Sequence, residues 1–444
     1  MNRTSKTIAR RQLLRDALTG TVAVTAVGVG TPRSVTMANE ARGTSSWPQF
    51  YGPQGTGVAI TAGDPPERWS AGEGVRWRTP IAGRGWSSPV TDGRMIYVTA
   101  AIGNDDQPRN LVVHQFDFES GRLNATFDVF RQADDRDYPI HQKNSHASPT
   151  LVIDGDRLFV HFGYQGTAAL TTDGKILWTN RDLTFPPVHG GGGSPILLND
   201  QLVFTCDGAE TPYVASLDAA TGKLRWRCDR PVDADRKFSF ATPAAFDFDD
   251  QNQIIAPGSD CVMGIDPANG QALWTFESSG FSVVPKPLKM DDRLLYCTGF
   301  MRPSLIALRV GSSSLRSSSR SSSKSWAATE VWRVDKNVPK TPTPIPDGDA
   351  VVMVSDEGIV SRIAIADGST IYRERLGGKF SASPIRVNDH IYLTDESGVT
   401  TVIRSGETFE KIAQNDLGQR TFASPAFAGG ALIVRTEETL YRIG

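Results

Sequence analysis

Side chains able to bind an anion or stack on a flat ring gather in eight short stretches of this 444-residue chain. They read Arg84-Gly85-Trp86, His141-Gln142-Lys143-Asn144-Ser145-His146, His189 ahead of the run Gly190 to Gly193, Lys237-Phe238-Ser239-Phe240, Phe281, Lys340, Lys379-Phe380 and Arg420-Thr421-Phe422. Cations and aromatic rings interleave in them far more than acids do. Brought to one rim, such a set would hold a flat, anionic or polyhydroxylated ligand by stacking and charge-assisted hydrogen bonds. The candidate ligand contacts are Trp86, His141, Lys143, Asn144, His146, His189, Lys237, Phe240, Lys379 and Arg420. The same residues admit a second reading, in which Trp86, Phe240, Phe281, Phe380 and Phe422 fill a channel while the cations snorkel at its mouth. His114, His141, His146, His161 and His189 fall close together in the chain, but their spacing matches no standard zinc pattern, and no metal site is assigned. The glycine run follows no strand-to-helix signal, which argues against a phosphate loop. No catalytic residue is assigned.

A repeat is what would bring these stretches together. Each leads into a Ser/Thr/Val-Pro step: Ser88-Pro89, Ser148-Pro149, Ser194-Pro195, Thr242-Pro243, Val284-Pro285, Thr341-Pro342, Ser383-Pro384 and Ser424-Pro425. Three to six residues beyond each Pro comes a turn pair such as Asp92-Gly93, Asp154-Gly155 or Asn388-Asp389, then an apolar or alternating run such as Met95-Ile96-Tyr97-Val98. A third strand ends in a second turn, at Ser120-Gly121, Thr221-Gly222 or Asn269-Gly270, and an aromatic residue follows on a fourth. Four antiparallel strands recurring at this spacing predict an all-β, eight-bladed β-propeller. The last copy lacks its outer strand. Val75-Arg76-Trp77-Arg78-Thr79-Pro80 supplies a candidate, so the N-terminal strand should pair with the C-terminal blade and close the ring. The loop before each Pro then delivers the chain to the innermost strand beside a central channel, and the eight stretches converge on one rim.

Composition bounds the partners. A formal net charge of -2 and no long apolar span argue against nucleic acid, an anionic membrane surface or a transmembrane segment in the mature chain. Residues 1–41 read as a twin-arginine-type export signal and linker, because Arg10-Arg11 precedes a modestly apolar stretch from Ala17 to Gly30, so a periplasmic location is expected. Residues 46–444 form the propeller. Within it, 311–325 is a Ser/Arg-rich insertion of low hydrophobicity, expected to be a disordered, solvated loop. Cys206, Cys228, Cys261 and Cys297 sit singly, with no CxxC and no CxxCH, and read as buried free thiols without covalent haem.

The fourth-strand segments carry a family resemblance. Leu217-Asp218-Ala219-Ala220-Thr221-Gly222-Lys223-Leu224-Arg225-Trp226 resembles the tryptophan-docking repeat of pyrroloquinoline quinone (PQQ) propellers. Ile265-Asp266-Pro267-Ala268-Asn269-Gly270-Gln271-Ala272-Leu273-Trp274 is a second copy, and Thr172 to Trp178 a shortened third. The entry segment Trp47-Pro48-Gln49-Phe50-Tyr51-Gly52-Pro53 is similar to that of exported stand-alone PQQ-like repeat proteins. The resemblance gives Trp77, Trp178, Trp226, Trp274 and Trp332 a structural role, docking each blade on the next. Its enzyme branch, the quinoprotein alcohol and glucose dehydrogenases, implies PQQ stacked on a Trp in the central funnel and Ca²⁺ held by acidic and amide side chains. The adjacent-cysteine disulfide found in many of those alcohol dehydrogenases has no counterpart in this sequence, and no catalytic Asp carries over. Another branch binds protein partners. Two functions therefore stay open: a non-catalytic binding or scaffold propeller for a protein partner or small ligand, and a PQQ-dependent oxidoreductase acting on an alcohol or sugar.

Overall fold

The computed structural model describes residues 44–103, 109–132, 138–314 and 324–444. The export signal expected in residues 1–41 lies outside them. The described residues form eight sheets arranged as blades, each built on four antiparallel strands. Counted from the inner strand outward, blade 1 comprises Val90–Thr91, Met95–Ile102, Asn110–Asp117 and Leu123–Arg131. The inner strands of blades 2 to 8 are Val152–Asp154, Ile196–Leu198, Ala244–Phe248, Leu288–Met290, Ile345–Asp347, Ile385–Val387 and Ala426–Ala428. Asn199, Asp249, Asp250, Asp291 and Asn388, at the first hairpin of their blades, all take the positive φ that such two-residue turns demand.

Closure occurs through the strand expected from the sequence. Val75–Pro80 pairs antiparallel with Thr439–Ile443 and becomes the outer strand of blade 8. Two arginines reinforce this seam. Arg442 meets both carboxylate oxygens of Glu119, and Arg435 donates to Ser87 and to the Thr99 carbonyl, all in blade 1.

The core is divided among the seams between blades. Leu158 and Val160 of blade 2 pack with Val113 and Phe130 of blade 1, and Phe204 and Leu217 of blade 3 pack with Phe159 and Trp178 of blade 2. At four seams an outer-strand Trp lies against the second-turn glycine of the next blade and donates its indole N–H to the carbonyl three residues before that glycine. The acceptors are Phe118 for Trp77, Ala219 for Trp178, Pro267 for Trp226 and Ile365 for Trp332, at 2.8–3.0 Å. Gly222 illustrates why no other residue serves: its φ is +69°, and a Cβ there would stand 2.4 Å from the Trp178 ring.

Trp274 departs from this pattern. Its N–H bonds Gln253 Oε1 of its own blade at 2.7 Å, because blade 5 offers no glycine turn at that point. There the third and fourth strands, Leu305–Ser314 and Lys324–Val334, run on as a long hairpin. This corrects part of the expected loop: Gly311 to Ser314 and Lys324 to Ser325 are ladder residues, while 315–323 lie outside the described part. Pairing propagates outward from the buried strands, and Trp326, buried in the seam beside Trp274, anchors the extension.

Residues 44–60 do something the repeat pattern gave no sign of. They cross the channel at the end opposite the rim. Trp47 pairs with Thr91 of blade 1, the Pro48 carbonyl accepts from Ile153 of blade 2, and Tyr51 Oη donates to Thr343 of blade 6 at 2.9 Å. Val58–Ala59 then pairs in parallel with Arg386 and Val387, adding a fifth strand to blade 7. Lys286 of blade 5 donates its amine to the Gly55 carbonyl at 2.8 Å, and burial pulls that amine down to about 8.

Candidate functional site

Strand alternation decides what can reach the rim. In an up-and-down blade the connection from the second to the third strand lies at the same end as the loop entering the first, so two loops per blade surround the mouth. Between the rim and Phe50, on the crossing segment, the channel encloses about 560 Å³. The aromatic residues therefore line a cavity and do not fill it; Phe380 alone of the five turns into the seam between blades 6 and 7.

An aromatic arc runs along one side of the wall. His141 and His189 meet at 5.6 Å between ring centroids, His189 and Phe238 at 5.2 Å, Phe238 and Phe281 at 5.7 Å, and Phe281 and Phe300 at 6.5 Å. Arg236 stacks over Phe281 at 4.4 Å. Burial, and secondarily the neighbouring His141, lowers the pKa of His189, which keeps that ring neutral at neutral pH. Gly190 explains the glycine run: a Cβ there would stand 2.3 Å from Ile140, so the backbone of one loop lies directly on the next. On the other side Trp86 packs against Phe422 at 4.7 Å.

Blades 6 and 7 add acids that the loops before each Pro did not reveal. They lie in the turn between the second and third strands, as Asp356-Glu357-Gly358 and Asp395-Glu396-Ser397-Gly398. Among the described residues, both carboxylates that line the cavity, Asp356 and Glu357, are committed. Asp356 accepts from the Lys340 N–H and from Thr341 Oγ1, both at 2.7 Å, and Glu357 pairs with Lys340 at 2.6 Å. Glu396, beside the lining, accepts from Lys143 and Ser381, both at 2.6 Å. Burial raises the pKa of Asp356.

Of the ten candidate contacts, Trp86, His141, Lys143, Asn144, His189, Phe240 and Lys379 line the cavity. His146, Lys237 and Arg420 do not. His146 is buried against Arg109 and Tyr164. Lys237 turns out to Asp233 at 3.0 Å, while its neighbours Arg236 and Phe238 face inward, as strand-like alternation requires. Arg420 covers Phe422 from outside and lies 3.6 Å from Glu437. Among the aromatic and charged lining residues, Phe50, Arg236, Phe300, Asp356 and Glu357 lie outside the eight stretches, and Phe238 lies within one without being a candidate contact. For the acids a signal existed, since the Asp-Glu turn recurs in consecutive blades.

The Ser/Thr-Pro steps have a purpose at the waist of the channel. Backbone N–H groups of one blade donate to a hydroxyl of the next: Ser88 to Thr150, Thr150 to Ser194, Ser194 to Thr242, Lys286 to Thr343, Thr343 to Ser383 and Ser383 to Ser424, at 2.9–3.0 Å. Blade 5, which carries Val284-Pro285-Lys286, interrupts this collar for want of a hydroxyl.

Known proteins share this architecture. The structure of BamB from Moraxella catarrhalis aligns with a TM-score of 0.54 at 12% identity, over 83% of this chain and 99% of that one. The quinohemoprotein alcohol dehydrogenase from Comamonas testosteroni gives 0.60 at 12% identity, over 91% and 81%. A europium-containing methanol dehydrogenase gives 0.58 at 11%, over 88% and 89%. At such identities the likeness is one of fold. No curated protein matches the chain in sequence. Residues 109–281 and 326–440, well over half of the chain, match the PQQ-like repeat family described as outer membrane protein assembly factor BamB. The chain belongs to that family of PQQ-like β-propellers.

Proposed function

We propose that this protein is an exported propeller that binds without catalysing, its central funnel holding a small anionic or polyhydroxylated ligand or the tip of a protein partner. One observation carries this reading: an aromatic-walled cavity with cations at its mouth, in which each lining carboxylate already serves a cation, a hydroxyl or a backbone N–H. Such a wall can grip a ligand, yet it keeps no free carboxylate beside it.

The oxidoreductase reading draws on Asp356, a partly buried acid in the cavity wall whose pKa is raised. Its oxygens are held by Lys340 and Thr341, however, and the funnel suits the implied cofactor poorly. Calcium takes six to eight oxygen ligands. Among the described residues no three His, Cys, Asp or Glu side chains converge, and the acids present are engaged elsewhere. Trp86, which lines the cavity, already has its ring against Phe422, tilted by 56°.

The test is an absorbance titration with PQQ and Ca²⁺ followed by a dye-linked dehydrogenase assay on alcohols and sugars. No turnover is expected. Turnover that Asp356→Asn abolishes would replace the binding reading with the oxidoreductase. Export is tested apart: Arg10→Lys with Arg11→Lys should retain the protein in the cytoplasm, and unchanged export would remove the twin-arginine assignment.

A further inference from the structure

The outer strand of each blade has one side with no strand beside it, and an open edge of that kind can recruit another chain. In seven blades the edge is short and broken. A bulge interrupts the ladder between the third and fourth strands there, and no more than four consecutive residues of the fourth keep an unbroken register. Blade 5 differs. Its ladder runs without interruption from Lys324 opposite Ser314 to Glu330 opposite Leu308, seven residues ahead of the bulge.

The direction of the backbone groups in this run follows from one bond. Ser312 gives its N–H to Asp249 Oδ2 at 2.8 Å, so it turns away from the outer strand. Opposite residues of an antiparallel ladder turn towards or away from each other together, in alternation. Trp326, opposite Ser312, therefore has its N–H and C=O on the free side, and Lys324, Ala328 and Glu330 share that direction. Among the described residues no other strand pairs with that side. Its side chains do little to guard it. Trp326 is turned into the seam, while Ser325, Ala327 and Thr329 are exposed, small and uncharged, without the Pro or inserted charge that blunts an edge.

We propose that this edge pairs antiparallel with the same edge of a second copy of the chain, centred on Ala327, so that one continuous sheet joins two propellers. Charge selects both the occupant and the register. With Ala327 opposite its own counterpart, Trp326 stands opposite Ala328, and Lys324 opposite Glu330 of the second copy, twice over by symmetry. Moving the centre to Trp326 or to Ala328 places Lys324 opposite Ala328 or Trp332 and loses both charge pairs. Within one copy Lys324 reaches the Asp249 carbonyl at 3.1 Å and Glu330 meets Arg333 at 2.7 Å, but both residues are exposed and can turn to the other copy. The strand lies on the outer wall of the ring, so the pairing is independent of what the funnel holds.

Sedimentation velocity on the full chain over a range of concentrations tests this, with amide exchange read on the same samples. A reversible equilibrium between monomer and dimer is expected, with slower exchange at Trp326 and Ala328 in the dimer. Ala328→Pro removes an N–H that the monomer leaves unused, as edge strands permit, and should abolish the dimer with little change in melting temperature. Glu330→Lys sets like charges opposite each other and should weaken the dimer about tenfold. Adding Lys324→Glu to it should restore the dimer, and this pair of variants keeps the test decisive should Ala328→Pro fold poorly. A chain that stays monomeric up to millimolar concentration overturns the proposal, and slow exchange of the edge amides in that monomer would mean that another segment of the same chain covers them. A dimer that neither Ala328→Pro nor Glu330→Lys weakens is held elsewhere and overturns it as well. Loss of the dimer in Glu330→Lys without rescue by Lys324→Glu overturns the register centred on Ala327.

Discussion

Lys143, on the loop entering blade 2, reaches Glu396 of blade 7, its Nζ 2.6 Å from Oε1 and 3.5 Å from Ser381 Oγ. The two blades are not neighbours, since blades 8 and 1 stand between them around the ring. The pair is therefore a strap over part of the mouth, and anything entering from the rim passes beside it. Both side chains are partly exposed, so the bond stabilises by no more than about 1 kcal/mol. Lys143→Gln should accordingly shift the melting temperature little while speeding amide exchange in residues 140–148. Unchanged exchange there would mean the loop is held by its bonds to His189 and Ser148 alone, and the strap would have no gating role.

The indole bonds set a sharper expectation. Trp226 is buried, donates to the Pro267 carbonyl and lies against Gly270. Trp226→Ala should cost about 3–5 kcal/mol in denaturant unfolding, from the lost ring and the cavity left behind. Trp274 bonds Gln253 instead, so Trp274→Phe and Gln253→Leu should show coupling in a double-mutant cycle, whereas Trp226→Phe should not couple to Gln253→Leu. Additive effects for the first pair would show that the 2.7 Å bond contributes nothing.

What the sequence made legible was local. Asp-Gly and Asn-Asp turns, the Ser/Thr-Pro steps and the Trp beyond each second turn are short-range signals, and they recur often enough to count blades. The acids at 356–357 and 395–396 were overlooked because they stand at no fixed distance from a Pro, although alternation of strand direction brings them to the same rim. The crossing segment was beyond reach for a different reason. Tyr51 meets Thr343 and Gly55 meets Lys286 across more than two hundred residues, through irregular backbone without a periodic pattern. The blade 5 hairpin was obscured by its Ser-rich composition, which reads as solvated, while the ladder it extends is imposed by the buried strands beneath it.

His161 gives the fold a pH dependence with a defined sign. The ring is fully buried, 4.3 Å from Phe204, and bonded to Thr167 Oγ1 at 2.8 Å; burial lowers its pKa to about 3. The unfolded chain takes up a proton near pH 6.5, which the folded ring refuses until far lower. Stability from this group is present above pH 6.5 and is lost as pH falls toward 3, to a limit of about 5 kcal/mol. Carboxylates with lowered pKa values act in the same direction below pH 4, so the contribution is read as a difference. The urea midpoint of His161→Gln should fall less steeply than that of the unmodified protein between pH 6.5 and 4. Parallel curves would mean that the ring titrates normally in the folded state.

Two shortened chains separate the crossing segment from the latch. A chain beginning at residue 61 retains Val75–Pro80 beside Thr439–Ile443 and loses the contacts of Tyr51, Gly55 and Val58–Ala59. It should unfold in one transition at a lower temperature, with Lys286 left without its carbonyl and the funnel without Phe50. A chain beginning at residue 81 loses the outer strand of blade 8 as well, which exposes the edge of Thr439–Ile443 and removes Trp77 from Gly121. Arg435, Arg442 and the apolar cluster shared by Ile96, Val98 and Phe116 of blade 1 with Leu432, Val434 and Leu440 of blade 8 then hold the seam, with no strand ladder behind them. That chain should melt over a broad range or in more than one step, and should self-associate through the exposed edge. A single sharp transition from the chain beginning at residue 81, at the temperature of the full chain, would show that the side-chain contacts of the seam suffice and that the strand pairing is dispensable for closure.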